Sequence, residues 1–167
     1  MKQIAIAVLV FFMAGGPAAA QNYIGLSGGF MSYEDGTTEL DSQGFTVFAG
    51  GQFDPLLAVE FSYTMLSSVE INKRDYKASV MALSGVLRSP GEGFEPFLRL
   101  GLARGDASIA SVGGNAQPYD EEKDGLIFGL GADMSLNYNS SIRIEYAETD
   151  IDGAESSRFS VGTVYRF

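Results

Sequence analysis

The residues best suited to chemistry in this chain are charges set inside otherwise uncharged stretches. Glu60 interrupts "LAVEFSYTM", Arg99 interrupts "PFLRLGLAR", Asp133 interrupts "LIFGLGADMSL", and Arg143 and Glu145 alternate within "IRIEYAE". Two carboxylates such as Glu60 and Glu145 could divide general-acid and general-base work. The other use of such a set is structural: carboxylates and guanidiniums enclosed together neutralise each other, since an unmatched buried charge is strongly destabilising. Composition weighs against catalysis. Histidine and cysteine are both absent, which removes Ser-His-Asp, Cys-His and histidine-metal sites. With arginines beside them, neither glutamate is poised to exchange protons. The chain therefore reads as non-enzymatic, with no cofactor.

Two further groups of residues invite a function. "DEEKD" offers Asp120, Glu121, Glu122 and Asp124, and "DIDGAE" offers Asp150 and Asp152. Carboxylates at this density are weak calcium candidates, because calcium takes oxygen ligands. No full calcium-loop pattern is present, so a solvated, self-repelling loop is the default. "RGD" at 104–106 spells an adhesion tripeptide, although a three-residue match arises easily by chance. Arg104 shares the alternating face of Leu98, Leu100 and Leu102 and is expected to snorkel to lipid phosphates at the rim of that face.

The elements that must carry these residues alternate with period two, the signature of strands. "LAVEFSYTM" sets Leu57, Val59, Phe61, Tyr63 and Met65 against Ala58, Glu60, Ser62 and Thr64. "FTVFAGGQF", "PFLRLGLAR", "LIFGLGADMSL", "IRIEYAE" and the terminal "RFSVGTVYRF" behave alike. "NYIGLSGGFM" and "YKASVMALSGVL" alternate less cleanly and complete a set of eight. Their connections are long and short in rough alternation, from the two residues "DP" to the twenty of "DASIASVGGNAQPYDEEKDG". Of the 21 Asp and Glu residues, fourteen lie in the four longer connections, against Lys73, Arg74 and Lys123. That is the pattern of an up-and-down meander whose two ends face different surroundings.

At the front, "MKQ", the apolar "IAIAVLVFFMA" and "GGPAAA" read as a signal peptide cleaved after Ala20, leaving residues 21–167 as one exported domain. Loss of Lys2 takes the net charge from −10 to −11. A surface so acidic is unsuited to nucleic acid. Without cysteine there are no disulfides to stabilise an exported chain.

Alternation alone does not say which face meets solvent. The less apolar face is rich in Gly, Ala and Ser with single charges. Small residues suit the interior of a narrow eight-stranded tube, just wide enough to be filled by side chains. The apolar face is then outermost, which requires lipid, and closure satisfies every backbone polar group as lipid demands. The expected fold is all-β: an eight-stranded antiparallel up-and-down transmembrane β-barrel. Glu60, Arg99, Asp133, Arg143 and Glu145 point inward, Lys77 is counted with them, and Arg166 stands near the inner mouth. Tyr23, Phe53, Tyr63, Tyr76, Tyr138, Tyr165 and Phe167, near strand ends, are expected to form interfacial girdles.

The chain resembles the eight-stranded transmembrane domain of the outer-membrane protein A family from about residue 22 to 167. "SIRIEYAE" with "SRFSVGTVYRF" resembles that family's last two strands, "LAVEFSY" its third and "FLRLGLARGDA" its fifth. The resemblance implies a Gram-negative outer-membrane protein with periplasmic termini and four outer loops, surrounded by outer-membrane lipid and lipopolysaccharide. It places Glu60, Lys77 and Arg143 at positions matching a lumenal plug. It also makes Tyr165 and Phe167 a signal read by the barrel-assembly machinery. The expected role is a monomeric surface protein supporting envelope integrity and loop-mediated contact. The alternative is a narrow pore for ions or small solutes, gated by the lumenal charges.

Overall fold

The computed structural model describes residues 21–35, 38–66, 69–71, 74–111, 119–151 and 154–167. The strands are β1 (Gln21–Asp35), β2 (Thr38–Asp54), β3 (Leu57–Leu66), β4 (Val69–Ile71), β5 (Arg74–Arg88), β6 (Phe94–Ser111), β7 (Tyr119–Ser135), β8 (Ser140–Ile151) and β9 (Ala154–Arg166). Every pairing is antiparallel. β1 pairs with both β2 and β9, and β3 pairs with β5, so the sheet closes on itself as a barrel. β3 and β4 lie one after the other along the same side of β5, and the nine stretches form the eight staves of a closed barrel. The segment at 1–20, read as a signal peptide, lies outside the described residues.

Alternation decides what faces where. Leu100, Leu102 and Phe30 are 65–67% exposed on the outer surface, whereas Glu60 and Asp133 are fully buried inside. This inverts the arrangement of a water-soluble protein. An apolar mantle around a polar interior is stable only in a hydrocarbon surround. The outer face includes Leu26, Phe45, Leu83, Leu98, Phe128, Leu130 and Phe159. The interior is filled by side chains, with Tyr23, Phe48, Val86, Phe97 and Val164 in one buried cluster. Ala82, Ala103, Ile127 and Ala147 form another.

The strands run further than the sequence pattern implies. Residues 32–43, expected as a polar connection, are mostly ladder, paired from Ser32↔Asp41 to Asp35↔Thr38. Likewise β6 and β7 stay paired as far as Ile109↔Tyr119 within the expected twenty-residue connection. Above the apolar belt a strand has no need of an apolar face, so polar hairpins extend it without leaving a hydrophobic signature. At the opposite end the connections are tight. Leu56 N–H donates to Asp54 Oδ1 at 2.9 Å, and Asn137 Oδ1 accepts from the N–H groups of Asn139 (3.0 Å) and Ser140 (2.9 Å).

Tyr23 corrects an expectation. It is 1% exposed and points into the barrel, not to an interfacial girdle. Its ring lies directly over Gly50, where any Cβ would collide with the ring and hydroxyl. Gly28, by contrast, faces outward, and a Cβ there would meet only the Gly44 carbonyl at 3.9 Å. Gly50→Val is therefore expected to lower unfolding stability by about 1–3 kcal/mol through overpacking, while Gly28→Ala leaves it nearly unchanged. Urea titration of the detergent-folded protein, read by heat-modifiable gel mobility, measures both.

Candidate functional site: the lumenal ion chain

Inward-facing positions on β3, β5, β6, β7, β8 and β9 bring five arginines and four carboxylates into one continuous network. Period two places Arg143 and Glu145 on the same face of β8, and register sets Asp133 of β7 opposite Arg143. At the end bearing the short turns, Arg166 Nη2 donates to Glu95 Oε2 at 2.9 Å and to Asp133 Oδ2 at 3.1 Å. Arg88 Nη1 reaches the same Asp133 oxygen at 2.8 Å. Arg143 then grips Asp133 with two bonds, from Nε (2.7 Å) and Nη2 (3.0 Å), and turns Nη1 to Glu60 Oε2 at 2.7 Å. Arg99 links Glu60 to Glu145, donating to Glu60 Oε1 and, at 3.2 Å, to Glu145 Oε2. Arg158 ends the series toward the long loops, with Nη2 3.6 Å from Glu145 Oε1.

Charge thus alternates along the tube: Glu95, Arg166, Asp133, Arg143, Glu60, Arg99, Glu145, Arg158. Neighbouring side chains complete the network. Tyr23 donates its hydroxyl to Glu60 Oε2 at 2.9 Å. The Arg143 guanidinium lies 4.5 Å from the Phe48 ring centre and 4.6 Å from that of Phe97, so its faces are covered by aromatic π clouds while its edge binds carboxylates. Arg158 Nη1 donates to Thr46 Oγ1 (2.9 Å) and Thr64 Oγ1 (2.7 Å). Its ion pair is long, exceeded only by the 3.7 Å between Arg88 and Glu95, and hydroxyls supply its hydrogen bonds.

Of the residues singled out from sequence, Glu60, Arg99, Asp133, Arg143 and Glu145 all meet here. Lys77 belongs to β5, but its side chain lies outside the described residues. Arg88, Glu95, Arg158 and Tyr23 are additions. Arg88 and Arg158 continue the inward alternation of Ala82–Ser84–Val86 and Ser160–Gly162–Val164 by one step. Strict extension of the period would have found them, and also Glu95, one step beyond Phe97 and Arg99; Tyr23 lies in the less cleanly alternating first strand, where an aromatic at a strand end reads equally as part of a girdle.

Of the calcium candidates, Asp120, Glu121, Glu122 and Asp152 have side chains outside the described residues, and Asp150 is exposed. Asp124 is engaged by Arg104, whose Nε (2.6 Å) and Nη2 (3.0 Å) bind its two carboxylate oxygens. Those hydrogen bonds hold the Asp124 carboxyl below the usual carboxylate range. Among the described residues no three acidic groups stand close enough to share a metal ion. Arg104 faces outward as expected but spends its guanidinium on Asp124, one step beyond the apolar pair Leu102↔Leu126. Tyr165 and Phe167 face outward, with ring centres 6.4 Å apart.

A family model described as the outer membrane protein beta-barrel domain matches residues 4–167. The chain belongs to this family. No curated protein matches it significantly. Among solved structures, neisserial surface protein A superposes with a TM-score of 0.78 at 17% identity, over 89% of this chain and 99% of that one. Ail, the attachment invasion locus protein of Yersinia pestis, in complex with the heparin analogue sucrose octasulfate, gives 0.69 at 20% identity, over 89% and 99%. OprG from Pseudomonas aeruginosa gives 0.64 at 15%, over 89% and 97%. At these identities the likeness is one of fold: this is an outer-membrane barrel with a charge-filled lumen.

The network predicts an ordering of losses. Arg143→Met leaves Asp133 and Glu60 facing each other without their shared cation and is expected to cost about 3–5 kcal/mol. Arg158→Met breaks only a long ion pair and two hydroxyl bonds and costs less than half as much. Arg104→Ala, at a solvated pair, leaves the unfolding midpoint unchanged. Parallel denaturant titrations of the three variants rank them.

Proposed function

We propose that this protein is a non-enzymatic outer-membrane surface protein whose barrel is a closed scaffold for its loop-bearing hairpins. The observation that carries this reading is the continuity of the ion chain. From Glu95 to Arg158 each charge is held by the next, and such a network resists opening because every step of separation exposes charges to a low-dielectric wall. The β1–β2 and β6–β7 hairpins, prolonged past the apolar belt, are then the parts able to touch other molecules. The barrel stands as a monomer among outer-membrane lipid and lipopolysaccharide. Its termini and short turns face the periplasm, and Tyr165 with Phe167 serve as the mark read by the assembly machinery.

The attachment role in the name of Ail supports loop-mediated contact as a use of this fold. The ligand class differs, however. Sucrose octasulfate is a polyanion, whereas the longer connections here carry fourteen acidic residues against three basic ones. A cationic or neutral surface fits these loops, and a sulfated glycan does not.

One observation favours a second reading, a gated narrow pore. Glu145 lies between Arg99 and Arg158, at 3.2 Å and 3.6 Å, and could exchange one for the other. Planar-bilayer recording separates the two. The closed-scaffold reading expects a silent folded wild type, with conductance appearing only in Glu60→Ala. Discrete openings in wild type that Glu60→Ala alters would replace it with the pore.

A further inference from the structure

We propose that the turn-side mouth of the barrel is a binding site for a small oxyanion, a carboxylate or a phosphate, received by the guanidinium of Arg88 with Arg166 beside it. Three independent observations converge there. The first is charge. Among the described lumenal side chains, Arg88, Arg99, Arg143, Arg158 and Arg166 face Glu60, Glu95, Asp133 and Glu145. Each carboxylate is already shared by at least two guanidiniums. These nine described side chains therefore carry one positive charge more than their carboxylates balance, within a chain whose net charge is −10.

The second observation is geometric. Arg88 is 3% exposed, and its Nε and Nη2 have no hydrogen-bond partner. These two atoms form one edge of the guanidinium fork. Through the same edge Arg143 holds Asp133 and Arg104 holds Asp124, each with two bonds to one carboxylate. Arg88 thus keeps, buried and with no hydrogen bond to it, the edge through which this molecule twice binds an oxyanion. Tyr23 backs the fork, its ring centre 4.8 Å from the guanidinium carbon, and fixes its plane.

The third is space. Arg88 and Arg166 line a recess of about 540 Å³ at this mouth, together with Gln52, Glu95, Ser135 and Asn137. That volume suits a small molecule. Arg158, at the other end, commits its Nη1 to two threonine hydroxyls and faces Glu145 through Nη2, leaving a buried Nε without a hydrogen bond. The extra charge is therefore better offered at Arg88. Glu95, at the rim of the recess and in contact with both arginines, is the built-in competitor: an arriving oxyanion meets Arg88 and Arg166 most strongly when Glu95 is neutralised.

The test is NMR of the folded protein in micelles, following arginine Nε–H resonances while acetate or phosphate replaces chloride at constant ionic strength. Saturable shifts of the Arg88 resonance are expected, and Glu95→Gln should tighten binding several-fold. Saturation by acetate alone assigns the site to carboxylates, by phosphate alone to phosphates, and by both to oxyanions in general. Arg88→Gln should abolish the response; if that variant does not fold, Glu95→Gln carries the test. Absence of saturation with either anion, shifts confined to Arg158, or an affinity unaffected by Glu95→Gln would overturn the proposal.

Discussion

A charge enclosed by a lipid-embedded tube has no water to turn to, and the arrangement of this barrel follows from that constraint. Each lumenal guanidinium must find a carboxylate and each carboxylate a guanidinium, at heights fixed by the strand register. The ladder Asp133↔Arg143 between β7 and β8 supplies the first contact. Glu60, on β3 across the tube, supplies the second. From these two the alternation of sign spreads to both mouths. The aromatic rings of Tyr23, Phe48 and Phe97 take positions against guanidinium faces, and glycine at position 50 leaves room for Tyr23. The small residues of the inner face are the space left once arginines of this size are accommodated.

The same constraint explains which features could be read from sequence. Strand number, antiparallel order and the orientation of both faces were legible because Leu98, Leu100 and Leu102, or Leu126, Phe128 and Leu130, repeat without interruption through the hydrocarbon belt. Glu60, Arg99, Asp133, Arg143 and Glu145 were legible because a charge in such a run has one place to go. Tyr23 was not, since an aromatic near a strand end suits an interfacial girdle as well as a lumen. Its position depends on Glu60, 37 residues away. Strand ends beyond the belt were hidden for a related reason: Ser32–Asp35 and Thr38–Asp41 pair as a ladder but carry no apolar face to reveal it.

Relatives sharing a fifth or less of their residues superpose over nearly their whole length. A barrel of this size asks for little from sequence: an apolar residue at alternate outward positions, small or mutually neutralising residues within, and tight turns at one end. These requirements are met by many residue choices, and loops lie outside them altogether. Family membership therefore fixes architecture and leaves the contacts of the hairpins to be set by their own charge.

The bonds of the lumen also bear on how the barrel comes into being. Arg143 and Glu60 are separated by 83 residues, and Arg158 and Thr46 by 112. None of these contacts exists until β8 and β9 have returned to meet β2 and β3 across the tube. A partly assembled sheet that entered the bilayer would carry unmatched charges on one face, the most adverse state the chain could occupy. Hydration of the arginines and carboxylates must then persist until the two edges join. Closure, dehydration and membrane entry form one concerted step, with the slow kinetics that such high contact order imposes.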